Sequence, residues 1–447
     1  MFKHQAIYDG IQSKIMTNVY LEGMKLPSIA ALSQTYQCNK ATVIRALEHL
    51  KQSNLIYSVN KSGYYVLKKA FTHIEEDGLL HFSSSMPNQK FFPYLDFQSC
   101  INQAIDFYKQ DLFVYGNPKG FSPLITSIKN LLESYQVFSQ ESNIHIISGA
   151  QQAIYILSSM PFPNGKNKIL IEQPTYHVIC DLLDSRPEST AYIKRGPEGI
   201  DLSELERIFK EDDIKFFYLT PRFHSPLGVS LSKQEKLDLL KLAEKYNVYI
   251  VEDDYLADFD PQPKNDPLYS YDMHNRVIYI KSFSKVIFPG IRLAAIVIPT
   301  DFNDTFDSHK KLIDLHSSLL SQSALEVYLN SGLFLKNKMK LMKSYESLSL
   351  TLNRAIAENP VNDEIKVYYD FKNSIFKAAY LLPREYKTNK IIGRLKDKGI
   401  VIESADDDFL SSIRSENIIK IDVSSIERDK IMGGLKEIVN EMNCGFK

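Results

Sequence analysis

The stretch VIYIKSFSKVIFPGIRLA, residues 277–294, places Lys285 just after a hydrophobic run that has the composition of a β-strand. Ser282 and Ser284 precede the lysine, and Arg292 follows it by seven positions. Taken alone, this pattern is typical of a strand end beside a surface lysine. The lysine becomes a candidate functional residue only if other strands of the same sheet also end in polar residues.

Similar apolar, β-rich runs recur along the chain and are separated mostly by helical stretches. Near-continuous hydrophobic runs of this kind are typical of buried parallel strands. One intervening helix is marked by Ser232 and Glu235, which have capping-box spacing. The pattern predicts an α/β fold with a mainly parallel sheet. The runs are IHIISG (144–149), KILIEQP (168–174), FFYLTP (216–221), VYIVEDD (248–254), VIYIKS (277–282) and LAAIVIP (293–299).

Ligands of such sheets lie at the carboxyl ends of the strands, so the residues after each run are candidates. An amine, a carboxylate, a phenol and a phosphate cradle together are the groups that hold pyridoxal 5′-phosphate. A lysine forms an internal aldimine with the cofactor, a carboxylate keeps the ring nitrogen protonated, and arginine with serine neutralises the phosphate. The candidates are the small residues of SGAQQA (148–153), Tyr176, Asp253, Asp254, Tyr255, Ser282, Ser284, Lys285 and Arg292.

The composition is that of a protein with more than one domain. With 447 residues, 44% hydrophobic and 24% charged, the chain is too long for one ordinary core, and its apolar runs are too short for a membrane span. The N-terminus does not resemble a secretory signal, so we expect a cytoplasmic protein without a membrane partner. The four cysteines are widely spaced, and we expect no metal site and no disulfide.

Charge is divided unevenly along the chain. Residues 1–70 contain nine Lys or Arg against three Asp or Glu, a net charge of +6, and the remainder carries −7. A basic module of this size favours contact with a polyanion. Its apolar spacing predicts one packing helix with Ala6, Ile7, Ile11 and Ile15 on one face. Two short helices, the first capped by Ser28, and a β-hairpin around NKSG (60–63) complete the pattern of a winged helix-turn-helix.

The quoted motifs G-M-K-L-P-S (23–28), T-V-I-R-A-L (42–47) and G-Y-Y-V (63–66) resemble the DNA-binding domain of GntR-type bacterial regulators. The resemblance implies that the helix starting near Lys40 enters the major groove of double-stranded DNA. Ile29 and Ala30 stand where many members of the family have an arginine. For Lys40 and Arg45 the alternative is that each side chain merely lies on a solvated helix face. The implied DNA contacts are Ser28, Lys40, Thr42, Arg45 and Lys61.

From about residue 80 onwards the chain resembles fold-type I pyridoxal-phosphate aminotransferases. The motifs YGNPKGFSPL, SGAQQAI, EQPTYH, LTPRFHSPLG, VEDDY, SFSK and PGIRLA occur in the family's order. The resemblance implies that Lys285 binds the cofactor, Asp253 pairs with its ring nitrogen, Tyr255 contacts its hydroxyl and Tyr176 stacks on the ring. Tyr115 is expected to reach the site of a neighbouring subunit. The expected phosphate contacts are Gly149, Ala150, Gln151, Ser282, Ser284 and Arg292.

Two positions depart from the aminotransferase pattern. Ser225 stands where most relatives have an asparagine, and its hydroxyl can still hydrogen-bond the cofactor. Lys420 stands where relatives have an arginine that grips the substrate carboxylate, a geometry that lysine does not reproduce. Lys420 is therefore a candidate effector-binding residue. The alternatives are that it points to solvent, that the register differs by a residue, or that Arg414 takes this role.

A GntR-like domain followed by an aminotransferase-like domain is the arrangement of the MocR subfamily of transcriptional regulators. We expect a DNA-binding domain at 1–69, a linker at 70–90 and a cofactor domain at 91–447, whose small α+β subdomain spans about 325–447. The resemblance implies a homodimer that senses an amine, an amino acid or the cofactor itself. The alternatives are an amino-acid aminotransferase and a dimeriser without cofactor.

Overall fold

The chain divides into two compact units, Met1–Gly78 and Leu79–Lys447, and each is described by itself. Residues 70–77 and 84–86 of the predicted linker lie outside the part of the chain that the structure, a computed structural model, describes. The described residues are 3–17, 19–21, 23–53, 55–59, 62–67, 78–83, 87–260, 265–371 and 375–444.

Three helices and a hairpin form the N-terminal unit, in the order that the sequence predicts. The two strands are antiparallel, with Ile56 opposite Val66 and Val59 opposite Gly63. This is the winged helix-turn-helix arrangement. The elements are α1 (Lys3–Met16), α2 (Ile29–Thr35), α3 (Lys40–Gln52), β1 (Ile56–Val59) and β2 (Gly63–Val66).

The core of this unit lies between α1 and α3. Ile7, Ile11 and Ile15 are buried, as their helical spacing predicts. Ala6 is exposed, and its assignment to the same face was wrong, because one residue of an α-helix turns the side chain by about 100°. The buried residues of α3 are Val43, Ala46, Leu47 and Leu50.

An eight-stranded sheet forms the centre of the second unit. All six predicted runs are strands of this sheet, in the spatial order β4-β11-β10-β9-β8-β5-β6-β7. Neighbours are parallel from β10 through β9, β8 and β5 to β6, whereas β11 is antiparallel to both β10 and β4. The strands are β4 (Ile144–Ile147), β5 (Lys168–Gln173), β6 (Thr190–Gly196), β7 (Gly199–Ile200), β8 (Ile214–Leu219), β9 (Tyr249–Asp253), β10 (Val277–Ser282) and β11 (Ala294–Val297).

Helices pack on the sheet and join its strands. The capping box of α9 is present, because Ser232 Oγ accepts from the Glu235 backbone N–H and Glu235 Oε2 accepts from that of Ser232. The helices of the second unit up to its long helix α12 are α4 (Tyr94–Tyr108), α5 (Ser122–Glu133), α6 (Ala150–Ser159), α7 (His177–Asp184), α8 (Leu202–Glu211), α9 (Lys233–Lys245), α10 (Asn303–Ile313), α11 (Leu319–Asn330) and α12 (Leu333–Glu358).

A smaller α+β region follows, as the sequence predicts for the C-terminal third. Its four-stranded sheet has the order β12-β13-β16-β15, and the short strand β14 pairs in parallel with β3, which lies at the start of the unit. The elements are β3 (Leu80–His81), β12 (Lys366–Tyr368), β13 (Lys377–Leu381), α13 (Thr388–Asp397), β14 (Ile400–Val401), β15 (Glu403–Ser404), β16 (Ile418–Asp422) and α14 (Arg428–Asn443).

The start of the second unit is attached to this smaller region by backbone and side-chain contacts. Phe82 is fully buried, its N–H donates to the Val401 carbonyl, and its carbonyl accepts from the Asp422 N–H at 2.6 Å. A Cβ on Gly434 would come within 2.4 Å of the Phe82 ring. Leu80–His81 and Phe82 lie in the range that the sequence assigns to the linker, and here they are part of the packed unit.

None of the described helices is both long enough and apolar enough to span a membrane. The four cysteines all lie within the described residues, and they form no disulfide among themselves.

Candidate functional site

A cavity of about 490 Å³ opens at the carboxyl ends of the parallel strands. Its volume is within the range of roughly 300–1,000 Å³ that is common for small-molecule sites. The smaller sheet forms one wall of it. Gly149 and Tyr115 do not line the cavity. The predicted residues that line it are Ala150, Gln151, Tyr176, Ser225, Asp253, Tyr255, Ser282, Ser284, Lys285, Arg292 and Lys420.

Asp253 is held at the end of β9 with one carboxylate oxygen bonded and one available. The Tyr218 hydroxyl donates to Asp253 Oδ2 at 2.8 Å. Oδ1 is buried and has no hydrogen-bond partner among the described residues. Burial raises the pKa of Asp253 to about 6, and the hydrogen bond from Tyr218 opposes this rise. The side chain is therefore mostly ionised at neutral pH, with an acceptor facing the cavity that nothing in the described protein uses.

Lys285 follows β10 and is half-buried in the cavity wall. Burial, followed by the positive charge of Lys377, lowers the pKa of Lys285 to about 8, and Asp422 opposes the shift. A larger fraction of this amine is neutral near pH 7 than of an ordinary lysine. Such a lysine is suited to react as a nucleophile.

The N-terminus of α6 and Arg292 form a candidate anion site. Gly149 caps the helix with a φ of +88°, and a Cβ at this position would come within 2.8 Å of Arg292 Nη2. Arg292 Nη2 donates to Gln151 Oε1 at 3.2 Å. Both the backbone N–H groups at the start of a helix and a guanidinium group bind phosphate well, because they donate hydrogen bonds to its oxygens. Ser282 and Ser284 line the same cavity.

Two tyrosines flank the centre of the cavity. The Tyr176 hydroxyl accepts from Gln151 Nε2 at 3.3 Å, which ties this ring to the candidate anion site. The Tyr255 hydroxyl donates to the Phe223 carbonyl at 2.9 Å. Burial raises the pKa of Tyr255 to about 12, so its hydroxyl remains protonated at neutral pH. Ser225 lies beside this group in the cavity wall.

Beneath the cavity, a buried ion pair connects the loop after β8 to the residues after β9. Arg222 contacts both carboxylate oxygens of Asp254, with Nε at 3.2 Å from Oδ1. The Tyr279 hydroxyl of β10 donates to Asp254 Oδ2 at 2.7 Å, and Arg222 Nη1 also contacts Asp260 at 3.1 Å. This network joins the segments that follow β8 and β9 to the middle of β10.

Lys420 lines the cavity, but its charge is already paired. Its Nζ lies 3.0 Å from Asp408 Oδ2 and 3.9 Å from Glu403 Oε2. Lys420 does not point away into solvent, because 22% of its side chain is exposed. Arg414 is exposed and does not line the cavity, so it does not take the position of a carboxylate anchor.

Several cavity residues were not predicted. Lys377 on β13 is buried, and its Nζ lies 3.0 Å from Asp422 Oδ2. Asp422 could have been found, since it stands two residues after Lys420 and so shares its face of β16. The only sequence feature that could have indicated Lys377 is weak: it is a single charged residue within an apolar run. The other unpredicted residues are Ser83, His177, Tyr218, Thr220, Pro226, Pro289, Glu403, Asp407, Asp408 and Ile421.

Tyr115 is 87% exposed and stands apart from the cavity of its own chain. Gly116, the next residue, packs against α11, because a Cβ there would lie 2.9 Å from a methyl group of Leu319.

The predicted DNA contacts of the N-terminal unit differ in their local roles. Ser28 Oγ accepts from the Ala31 N–H and so caps α2. Thr42 is half-buried, and its N–H and hydroxyl both donate to Asn39 Oδ1, the cap of α3 that the sequence analysis missed. Lys40 and Arg45 are exposed on α3. Lys61 lies outside the described residues.

Comparison with known proteins defines the class. Residues 3–66 match the model of the bacterial regulatory proteins of the gntR family, and residues 88–370 match that of aminotransferase class I and II. These matches and the fold define a regulator-type DNA-binding domain joined to an aminotransferase-like domain. The chain belongs to the aminotransferase class I and II family, and its N-terminal unit is a GntR domain, the arrangement of MocR-type regulators.

Individual relatives are consistent with this assignment. YcxD of Bacillus subtilis (strain 168), described as an uncharacterized HTH-type transcriptional regulator, is 45% identical over 99% of this chain and 100% of its own length. The HTH-type transcriptional regulator NorG of Staphylococcus aureus (strain USA300) is 27% identical over 71% of this chain and 78% of its own. A solved structure of Pyrococcus horikoshii kynurenine aminotransferase has a TM-score of 0.74 at 23% identity, covering 83% of this chain and 93% of that one. That likeness establishes the fold.

Lys285 should react with a small amine-specific reagent such as cyanate in a pH-dependent way that reflects its lowered pKa. The rate of its modification should level off above about pH 8, because the amine is then mostly neutral. The exposed Lys436 is modified in the same sample and serves as an internal control for the amount of active reagent. Peptide mass spectrometry measures both rates in one sample. A modification rate at Lys285 that continues to rise well above pH 8 would contradict the lowered pKa of this lysine.

Proposed function

We propose that this protein is a DNA-binding transcriptional regulator whose aminotransferase-like unit holds pyridoxal phosphate on Lys285 and senses a primary amine. One observation carries the proposal. The cavity keeps the residues that would hold the cofactor, Lys285, Asp253 and Arg292, whereas Lys420, at the position of the usual substrate anchor, is already paired with Asp408.

The residues of the cavity fit this cofactor. Asp253 Oδ1 is a buried acceptor without a partner among the described residues, which suits a protonated ring nitrogen. Gly149 leaves the start of α6 accessible, and an added Cβ would fill the space beside Arg292. When bound, pyridoxal phosphate supplies an aldehyde that condenses reversibly with primary amines.

The chain's own residues would each have a distinct part. Arg292 and the N–H groups at the start of α6 would balance the phosphate charge. Asp253, ionised above about pH 6, would hold a proton on the ring nitrogen through its available oxygen. Lys285 would bind the aldehyde through its neutral amine, and would take up a proton when another amine displaces it.

The paired state of Lys420 favours sensing over turnover. An arginine binds a substrate carboxylate through two parallel hydrogen bonds, and its absence removes an interaction that orients amino acids for proton transfer. Asp408 is 4% exposed, so a carboxylate that drew Lys420 away would leave a buried charge without its partner. The second candidate function, an amino-acid aminotransferase, is favoured only by the retained Lys285 and Asp253.

We also propose that the protein is a homodimer. Large apolar side chains are exposed next to the packed Gly116 and also at the end of α10, where Leu312 is 86% exposed. Large exposed apolar groups in one area are typical of subunit interfaces. In a dimer, Tyr115 would be placed to reach the partner's cavity. The exposed side chains of this surface are Phe113, Val114, Tyr115, Leu312, Ile313 and Leu315.

Full-length protein saturated with pyridoxal phosphate should absorb visible light, and hydride reduction should then fix the cofactor to Lys285. Lys285→Gln should lose this labelling because no amine remains at the aldehyde, whereas Lys436→Gln should keep it. Peptide mass spectrometry locates the label. With common amino acids and keto acids, amino-group transfer should be at least about a hundredfold slower than the 1–10³ s⁻¹ typical of enzymes. Turnover within that range would favour the aminotransferase function.

Arg45→Ala should weaken binding to DNA from upstream of the protein's own reading frame by about tenfold or more, because a groove contact of α3 is lost. Lys51→Ala, at the other end of the same helix, should have little effect and serves as the matched control. Gel-shift titrations at several salt concentrations measure both variants. Equal binding by Arg45→Ala and the unaltered protein would exclude α3 as the recognition helix.

Leu312→Glu should convert the dimer to a monomer, since it places a charge in the apolar surface at the proposed interface. Met273→Glu changes another exposed side chain, before β10, and should leave the dimer intact. Light scattering after gel filtration measures the mass. A monomeric unaltered protein would rule out the homodimer.

A further inference from the structure

The wall of the cavity that is formed by the smaller sheet and the turn after β15 carries an excess of negative charge. This wall, the acidic wall, consists of Glu403, Asp407, Asp408 and Asp422, and the two lysines within it are Lys377 and Lys420. Four carboxylates and two ammonium groups therefore line this wall. Arg292 belongs to the candidate anion site at α6, and the side chain of His177, which also lines the cavity, is exposed.

Both lysines of the acidic wall are engaged with buried carboxylates. Lys377 Nζ lies 3.0 Å from Asp422 Oδ2, and the two side chains are 7% and 5% exposed. Lys420 Nζ lies 3.0 Å from Asp408 Oδ2. Removing one partner of such a buried pair is costly because the remaining charge is left without compensation. A carboxylate entering this part of the cavity would have to break one of these pairs.

The remaining carboxylates are placed to receive a cation. Asp407 is exposed at the rim, and Glu403 keeps 58% of its side chain exposed while its nearest lysine nitrogen is 3.9 Å away. Both line the same cavity as Lys285. A molecule attached at Lys285 would therefore occupy a cavity whose wall includes these two exposed carboxylates.

We propose that the effector is a short aliphatic diamine, with one amine for the cofactor and a second, cationic amine for the acidic wall. This inference rests on the proposed function. The incoming nitrogen forms the double bond to the cofactor carbon and gives up two hydrogens. Lys285 Nζ takes both hydrogens as its own bond to that carbon breaks. The exchange balances without an oxidant or reductant.

Three five-carbon ligands test the proposal, because they differ only at the far end. Cadaverine carries a second ammonium group, pentylamine a methyl group and aminovalerate a carboxylate. Calorimetric titration of the cofactor-loaded, full-length protein should give cadaverine an affinity at least about tenfold higher than pentylamine, the equivalent of about 1.4 kcal/mol, and aminovalerate the lowest. Cadaverine should also change DNA binding in a gel shift at concentrations that match its affinity.

The double variant Glu403→Gln/Asp407→Asn tests the acidic wall directly. It should remove most of the advantage of cadaverine and leave the affinity for pentylamine unchanged. Asp406→Asn is the matched control, since Asp406 is exposed in the same turn but does not line the cavity. It should behave as the unaltered protein in all titrations.

The outcomes separate this inference from the proposed function. Equal or tighter binding of aminovalerate, or no response to any of the three ligands by protein that holds pyridoxal phosphate on Lys285, would overturn the diamine and leave the cofactor assignment standing. An unchanged preference for cadaverine in the double variant would also overturn it. Failure of Lys285 to hold the cofactor would instead reject the proposed function.

Discussion

The buried ion pair between Arg222 and Asp254 is the interaction on which the arrangement of the cavity depends. Arg222 belongs to the loop after β8, Asp254 follows β9, and Tyr279 of β10 donates to the same carboxylate. Each strand end carries a residue of the cavity close by in sequence: Ser225, Asp253 and Lys285. Because both side chains are buried, loss of either one would leave the other as an uncompensated charge away from water. The pair therefore fixes the relative positions of the Lys285 amine and the Asp253 carboxylate in the cavity.

Much of the fold follows from local sequence patterns. The central strands are continuous apolar runs because both faces of the sheet are covered. The start of helix α9 is predicted by its capping box. β6 was missed, since its residues Lys194 and Arg195 interrupt the apolar pattern near the sheet edge. Ala6 was assigned to the wrong face of α1 for a simpler reason: it is small enough to be placed on either side of a helix without penalty.

The site residues were predictable where a charged or reactive side chain stands close to the end of a predicted strand. Asp253 lies at the end of a run, Lys285 soon after one and Arg292 directly before one, and the structure places all three in one cavity. The wall formed by the smaller sheet could not be found in this way. Lys377 begins β13 and Asp422 ends β16, and their pairing depends on how two distant segments align in space. The sequence identified Lys420 as a lysine in place of an arginine, but not that Asp408 had already neutralised it.

The attachment of Phe82 affects where the aminotransferase-like unit can be cut from the rest of the chain. A fragment that begins at residue 91 would lack β3, leave a hole beside Gly434 and release the Asp422 N–H from its acceptor. Loss of a buried phenylalanine side chain alone costs about 3–5 kcal/mol, a large share of the stability of an ordinary domain. An independently folding fragment would have to begin no later than Leu79, so the first residues after the N-terminal unit belong structurally to the aminotransferase-like unit.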